Sequence, residues 1–89
     1  MFIVYILFSK SVDKFYVGFT GDDLPERVRK HNTNHKGFTG GKGNWRVCYI
    51  EEYNTKEEAQ QRELAIKKRK SRKYLEALIN LRGGSGHPV

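Results

Sequence analysis

Phe2-Ile3-Val4-Tyr5-Ile6-Leu7-Phe8 is apolar at every position, the stretch from Ser9 to Lys14 is mostly polar, and Phe15-Tyr16-Val17-Gly18-Phe19 is apolar again. A short run that is apolar on both faces predicts a central strand, and the polar link predicts a hairpin to a second strand over Phe15–Phe19. Asp23-Leu24-Pro25-Glu26 then carries a helix-start signature: Asp23 suits the cap, Pro25 the first turn, and Glu26 can close a capping box. A helix from about Leu24 to Asn32 follows. The segment Asn32 to Asn44 is rich in Gly, Asn, Lys and His and reads as a loop. Trp45 to Tyr53 reads as a third strand. Thr55 with Glu58 makes a second capping box, which opens a helix running to about Lys70. Ser71 caps a last helix through Tyr74, Leu75, Leu78 and Ile79, which recur at helical spacing. Gly83 to Val89 reads as a disordered tail. The order β-β-α-β-α-α predicts an α+β domain over residues 1–82, with a small three-stranded antiparallel sheet flanked by helices.

Eighty-nine residues allow one domain with a modest core. The 17 Lys and Arg against 10 Asp and Glu, net charge +7, favour a polyanionic partner, nucleic acid before an acidic membrane surface. No apolar run is long enough to span a bilayer, and the stretch at Phe2 to Phe8 lacks the basic lead-in and small-residue cleavage site of a signal peptide. The chain reads as soluble and cytoplasmic. Cys48 stands alone, which rules out an internal disulfide, fits a reducing compartment and suits a small buried hydrophobe.

Ionisable groups fall where the periodicity asks for hydrocarbon. Leu24, Arg27, Val28 and His31 share one stripe of the first helix, and half of that stripe is basic. Ala59, Glu63 and Ile66 share a stripe of the second, with a carboxylate in the middle. Burying an unpaired charge is costly, so these groups should pair with one another, bind a metal or meet a charged ligand. An Arg27–Glu63 ion pair is the simplest structural account. His31 can equally interact with the last carbonyls of its helix, and Tyr5 and Tyr16 can be plain core tyrosines whose hydroxyls find partners. Taken together, two phenols, a guanidinium, an imidazole and a carboxylate also suit phosphodiester hydrolysis. That reaction needs a base for water, positive charge at the phosphate and help for the leaving oxygen. One inward carboxylate suits a single Mg²⁺ or Mn²⁺ that keeps several waters. A free phenol, with a pKa of about 10, is ionised in roughly one molecule in a thousand at pH 7, so Arg27 or the metal would have to lower it.

These residues resemble the GIY-YIG nuclease domain, particularly its small stand-alone bacterial members. The likeness runs over about residues 2–80. Its first motif stands as Ile3-Val4-Tyr5 and its second as Tyr16-Val17-Gly18, with residues 6–15 between the tyrosines. Glu26-Arg27-Val28-Arg29-Lys30-His31-Asn32 is similar to the family's Arg-x-x-x-His helix, and Arg62-Glu63 with Ile66-Lys67-Lys68 to the helix of its metal-binding glutamate. The resemblance implies that Tyr5 and Tyr16 line the active site and that one of them acts as or assists the general base. It gives Arg27 the scissile phosphate, His31 proton transfer or orientation, Glu63 the single divalent cation and Gly18 room for the phosphate to approach the strand. The implied activity is metal-dependent DNA endonuclease, in repair or recombination. In two places the chain departs from the pattern: Ile3 replaces a glycine, and Phe19 stands where DNA-repair relatives carry a lysine, a role for which Lys14 and Lys42 are candidates.

Lys67-Lys68-Arg69-Lys70-Ser71-Arg72-Lys73 offers a basic track for nucleic acid, with Lys67, Lys68, Lys70, Arg72 and Lys73 as expected phosphate contacts; a solvated helix face is the alternative. The loop, with Lys36, Phe38 and Lys42, could close over the substrate or merely connect. No DNA-reading module is visible, so binding should be strongly salt-dependent and little sequence-specific. Three other readings stand beside the nuclease: a catalytically silent nucleic-acid-binding module, a nuclease that needs a targeting protein partner, and a zinc site from Cys48 with His31, His35 and His87. The spacing of the last matches no compact ligand pair.

Overall fold

The computed structural model describes residues 1–33 and 45–83, the side chains at positions 31, 33, 82 and 83 excepted. Its elements are β1 (Phe2–Ser9), β2 (Lys14–Thr20), α1 (Leu24–Thr33), β3 (Trp45–Tyr53), α2 (Lys56–Arg69) and α3 (Arg72–Leu78), followed by a π-helical turn over Ile79–Gly83. The strands form one antiparallel sheet in the order β2-β1-β3, with β1 central as its two apolar faces require.

Alternation along β1 builds a core on each side of the sheet. Val4 and Ile6 point to one face, where Val17, Tyr49, Ala59 and Ile66 complete a cluster covered by α2 and α3. Tyr5 and Leu7 point to the other, with Trp45 and the half-buried Ile3, Val12, Tyr16, Leu24 and Val28 of the α1 side. The β1–β2 turn closes with the Asp13 amide donating to the Ser9 carbonyl at 2.7 Å, Asp13 itself lying at φ 56°, a left-handed conformation that Asp tolerates better than most side chains. The β1–β3 register slips between Ile6 and Leu7, so Cys48 is an extra residue on β3, its thiol donating to the Ile6 carbonyl at 3.4 Å.

The helix starts follow their sequence signals unevenly. Thr55 and Glu58 form the full capping box, and Ser71 Oγ accepts the Tyr74 amide at 3.1 Å. In α1 the Glu26 carboxylate instead accepts from Arg29 Nε at 3.1 Å. α2 stops at Lys70, whose φ of 49° breaks the helical path before α3 begins. Asn32 joins the end of α1 to the start of β3: its amide nitrogen donates to the Trp45 carbonyl at 3.1 Å and its oxygen accepts the Trp45 amide at 2.7 Å.

Candidate active site

Tyr5 on β1 and Gly18 on β2 face each other in the register. Tyr5 is fully buried and Tyr16, two residues before the glycine on the outer strand, is half-buried. The two rings lie 6.4 Å apart at a tilt of 38°. A Cβ on Gly18 would sit 2.8 Å from the Tyr5 hydroxyl oxygen and 3.1 Å from Tyr16 Cε2, so only glycine lets both phenols close on this point. Arg27 arrives from α1 and hydrogen-bonds the Tyr5 hydroxyl. Its Nε is buried and, among the described residues, has no hydrogen-bond partner. A buried donor of this kind carries a desolvation penalty unless an acceptor arrives.

The Tyr5 phenol is held above its ordinary pKa. Burial is the main cause; the Arg27 hydrogen bond opposes it, while the neighbouring Tyr16 and the Glu63 charge add to the rise. Arg27 therefore does not achieve the lowering that a tyrosine base would need, because desolvation of the phenolate outweighs it.

Glu63 enters from α2. It is only 9% exposed, and its carboxylate pairs with Lys67 one turn later, the Nζ–Oε2 distance being 2.8 Å. The same ammonium lies 5.8 Å from the centre of the Tyr16 ring, so Glu63, Lys67, Tyr16, Tyr5 and Arg27 form one continuous chain of neighbours. Beside it, between β2 and the α2–α3 junction, runs an open groove of about 440 Å³. Phe15, Val17, Ile66 and Leu75 line its apolar part, and Lys14, Lys67 and Lys70 bring positive charge.

Among the described residues no cluster of three or more His, Cys, Asp or Glu exists that could cage a metal. The donor set still fits one hard cation: Glu63 is a buried oxygen donor that already holds a positive charge, and Mg²⁺ keeps most of its waters when bound through one carboxylate.

The family model of the GIY-YIG catalytic domain matches residues 1–75. The chain belongs to the GIY-YIG family. That is a nuclease family, so membership implies nucleic acid as the partner, and its members generally use a divalent metal. The chain is 39% identical over 66 residues to UPF0213 protein CPE1444 of Clostridium perfringens, covering 73% of this chain and 69% of the relative. It is 37% identical over 83 residues to UPF0213 protein BH0048 of Halalkalibacterium halodurans, covering 91% and 84%. The solution NMR structure of UPF0213 protein BH0048 from Bacillus halodurans superposes with a TM-score of 0.58 at 32% identity, covering 94% of this chain and 88% of that one. These relatives bear names that state no activity.

Around this GIY-YIG site the other expected residues separate. Lys67 and Lys70 line the groove, as does Lys14, whereas Lys68 and Lys73 are exposed outside it. Arg72 also borders the groove, but its guanidinium is engaged by Asp13 Oδ1 at 2.8 Å and Glu76 Oε2 at 3.1 Å, and it lies 5.2 Å from the Phe15 ring centre. The charges of the exposed Arg72 and Asp13 act mainly to close the hairpin onto α3. Lys36, Lys42, Phe38, His35, His87 and the side chain of His31 lie outside the described residues. Phe19, at the departure from the DNA-repair pattern, packs against the α2–α3 core.

A second buried carboxylate escaped the sequence reading. Glu51, 7% exposed, takes both fork nitrogens of Arg62, Nε at 2.9 Å and Nη2 at 3.1 Å, and accepts the hydroxyls of Tyr49 and Tyr53. Burial works against the charged form, but these four donors and the guanidinium charge overcome it and hold the carboxyl below its ordinary pKa. The alternation Tyr49, Glu51, Tyr53 on one strand face was the available signal, and its partner Arg62 sits on a different element.

Proposed function

We propose that the chain is a metal-dependent endonuclease that hydrolyses phosphodiester bonds in nucleic acid, DNA foremost, with one Mg²⁺ or Mn²⁺ ion on Glu63. The observation that carries this reading is the half-buried Arg27 beside Tyr5, whose buried Nε has no hydrogen-bond partner among the described residues. A phosphate oxygen is the acceptor that would complete it, and a guanidinium fork suits phosphate.

In this reading the two tyrosines divide the work by burial. Tyr5 is enclosed and has a raised pKa, so it keeps its proton and steadies Arg27. Tyr16 is half-buried at the sheet edge beside the groove, within reach of water, and in its phenolate form takes the proton of the attacking water, returning to the neutral phenol. Gly18, lacking a Cβ, lets the Tyr5 and Tyr16 rings close together beside the position given to the scissile phosphate. His31, one turn beyond Arg27 on α1, assists proton transfer to the leaving oxygen. The divalent ion supplies charge neutralisation at the reacting phosphate. Lys14, Lys67 and Lys70 hold the flanking backbone in the groove, with Lys36, Lys42, Lys68 and Lys73 contributing to the wider electrostatic attraction. The activity fits DNA repair or recombination in the cytoplasm; no helix among the described residues is long and apolar enough to cross a membrane.

The test is cleavage of labelled single-stranded, duplex, flap and branched DNA with Mg²⁺ or Mn²⁺ against EDTA, for the wild type and Glu63→Gln. Metal-dependent cleavage by the wild type alone is expected. Binding without cleavage under every condition would overturn the autonomous nuclease and leave a binding module or an enzyme awaiting a protein partner.

A further inference from the structure

The carboxylate given to the divalent ion is paired with a cation of the chain itself. Lys67 Nζ sits 2.8 Å from Glu63 Oε2, on the carboxylate that the nuclease reading assigns to the divalent ion. The lysine is not buried there: its side chain is 46% exposed against 12% for the glutamate, so it can leave at little desolvation cost. It also has somewhere to go. The ammonium lies above Tyr16, and the side chain lines the groove that Lys14 and Lys70 border. Lys67 spans both the carboxylate and the groove.

We propose that Lys67 is an exchangeable counter-cation, a positioning residue that holds Glu63 in the metal-free protein and transfers to the phosphodiester backbone when the divalent ion takes the carboxylate. The inference rests on the nuclease reading. Its physical basis is charge balance. A buried carboxylate facing a phosphate would repel it, and Lys67 prevents that state from arising in either form: it neutralises Glu63 before the metal binds and neutralises phosphate afterwards. Two consequences of opposite sign follow for one substitution. Removing the ammonium frees the carboxylate and strengthens metal binding, while the same removal deprives the metal-loaded protein of a phosphate contact. A merely structural lysine would do neither.

The test is Lys67→Met, which keeps the side-chain length, with the folded state checked by circular dichroism. Mn²⁺ affinity, measured without nucleic acid from the electron paramagnetic resonance of the free ion, is expected to tighten about twofold, the scale of one partly exposed i,i+4 ion pair. Lys67→Arg, which can still pair with Glu63, should stay near wild type. Binding of a short labelled DNA duplex should fall more for Lys67→Met in Ca²⁺ than in EDTA. Equal or weaker Mn²⁺ binding by Lys67→Met overturns the exchange and leaves the nuclease reading standing. So does a tightening that survives in the Glu63→Gln/Lys67→Met double variant, because the ion would then lie elsewhere. Absence of Mn²⁺ binding in both wild type and Lys67→Met overturns the Glu63 metal seat and the exchange with it.

Discussion

Two buried glutamates, each facing a cation on α2, have opposite characters. Glu51 is saturated: a guanidinium fork and two phenols satisfy both of its oxygens, and its partners come from β3 and α2 together. Glu63 is comparably buried but has one ammonium from its own helix and an open groove beside it. The comparison teaches that burial of a carboxylate does not by itself mark a reacting group. What separates them is unfilled coordination: Glu51 has no acceptor capacity left to offer a ligand, whereas Glu63 holds a displaceable ion. The same contrast holds for the arginines, since the Arg62 fork is occupied by Glu51 and Arg27 retains a buried Nε without a partner among the described residues.

The largest expected effect breaks the pair apart. Glu63→Gln should lower cleavage by about 10³-fold, the several kcal/mol that a metal ligand supplies to the transition state. Its stability should change by less than about 0.5 kcal/mol, since only an i,i+4 pair is lost. Glu51→Gln should do the reverse. It strips the Arg62 guanidinium of its carboxylate and should destabilise the fold by about 3 kcal/mol, lowering Tm by more than about 10 °C in a domain this small. The folded fraction should still cleave. Thermal denaturation and single-turnover cleavage on both variants check the crossing, and a fold loss in Glu63→Gln equal to that in Glu51→Gln would erase the distinction.

Acid sharpens it further. The folded-state pKa of Glu51 lies below the ordinary value of 4.5, so its stabilising contribution is complete above that pH and is lost as pH falls through the lower folded value. On the alkaline side Tyr53, whose hydroxyl is pushed up to about 12 by burial and by donation to Glu51, contributes fully below 10 and loses its contribution as pH rises towards 12. Urea midpoints across this range should show both flanks in the wild type and a flattened acid flank in Glu51→Gln.

How far these regions were legible in the sequence follows from how local their determinants are. The Ala59–Glu63–Ile66 stripe, the Thr55 capping box and the Tyr5–Tyr16 spacing depend on neighbours within one element or one hairpin, so periodicity exposes them. Glu51 gave only the strand alternation with Tyr49 and Tyr53, because Arg62 reaches it only after α2 packs on the sheet. The basic run from Lys67 to Lys73 looked uniform for the same reason. Closure of the fold distributes it: Lys67 goes to Glu63, Arg69 lies 4.2 Å from the Tyr74 ring centre, Lys70 turns the chain and Arg72 returns to Asp13.

A smaller effect tests the space between the phenols. Gly18→Ala puts a methyl 2.8 Å from the Tyr5 oxygen, which must shift the ring that steadies Arg27. A displacement of this order at a positioned catalytic group costs about 10²-fold in rate. Because the clash involves one fully buried ring, some loss of Tm accompanies it, so the diagnostic is kcat in the fully folded protein at low temperature. The Glu51 network lies on the opposite face of the sheet and should keep its acid midpoint.

The smallest effect separates groove lysines from surface lysines. Lys70 borders the groove in a left-handed conformation that Asn also adopts, so Lys70→Asn removes the charge while preserving the turn between α2 and α3. A lysine in contact with a backbone phosphate contributes about one unit to the slope of log affinity against log salt. Lys70→Asn should therefore lower that slope by about one, whereas Lys68→Gln, exposed outside the groove, should shift it by a fraction of that. Fluorescence anisotropy on a labelled duplex across a salt series reads both. Equal slopes for the two variants would mean that the substrate meets the whole basic face of α2 and that the groove confers no preferred path.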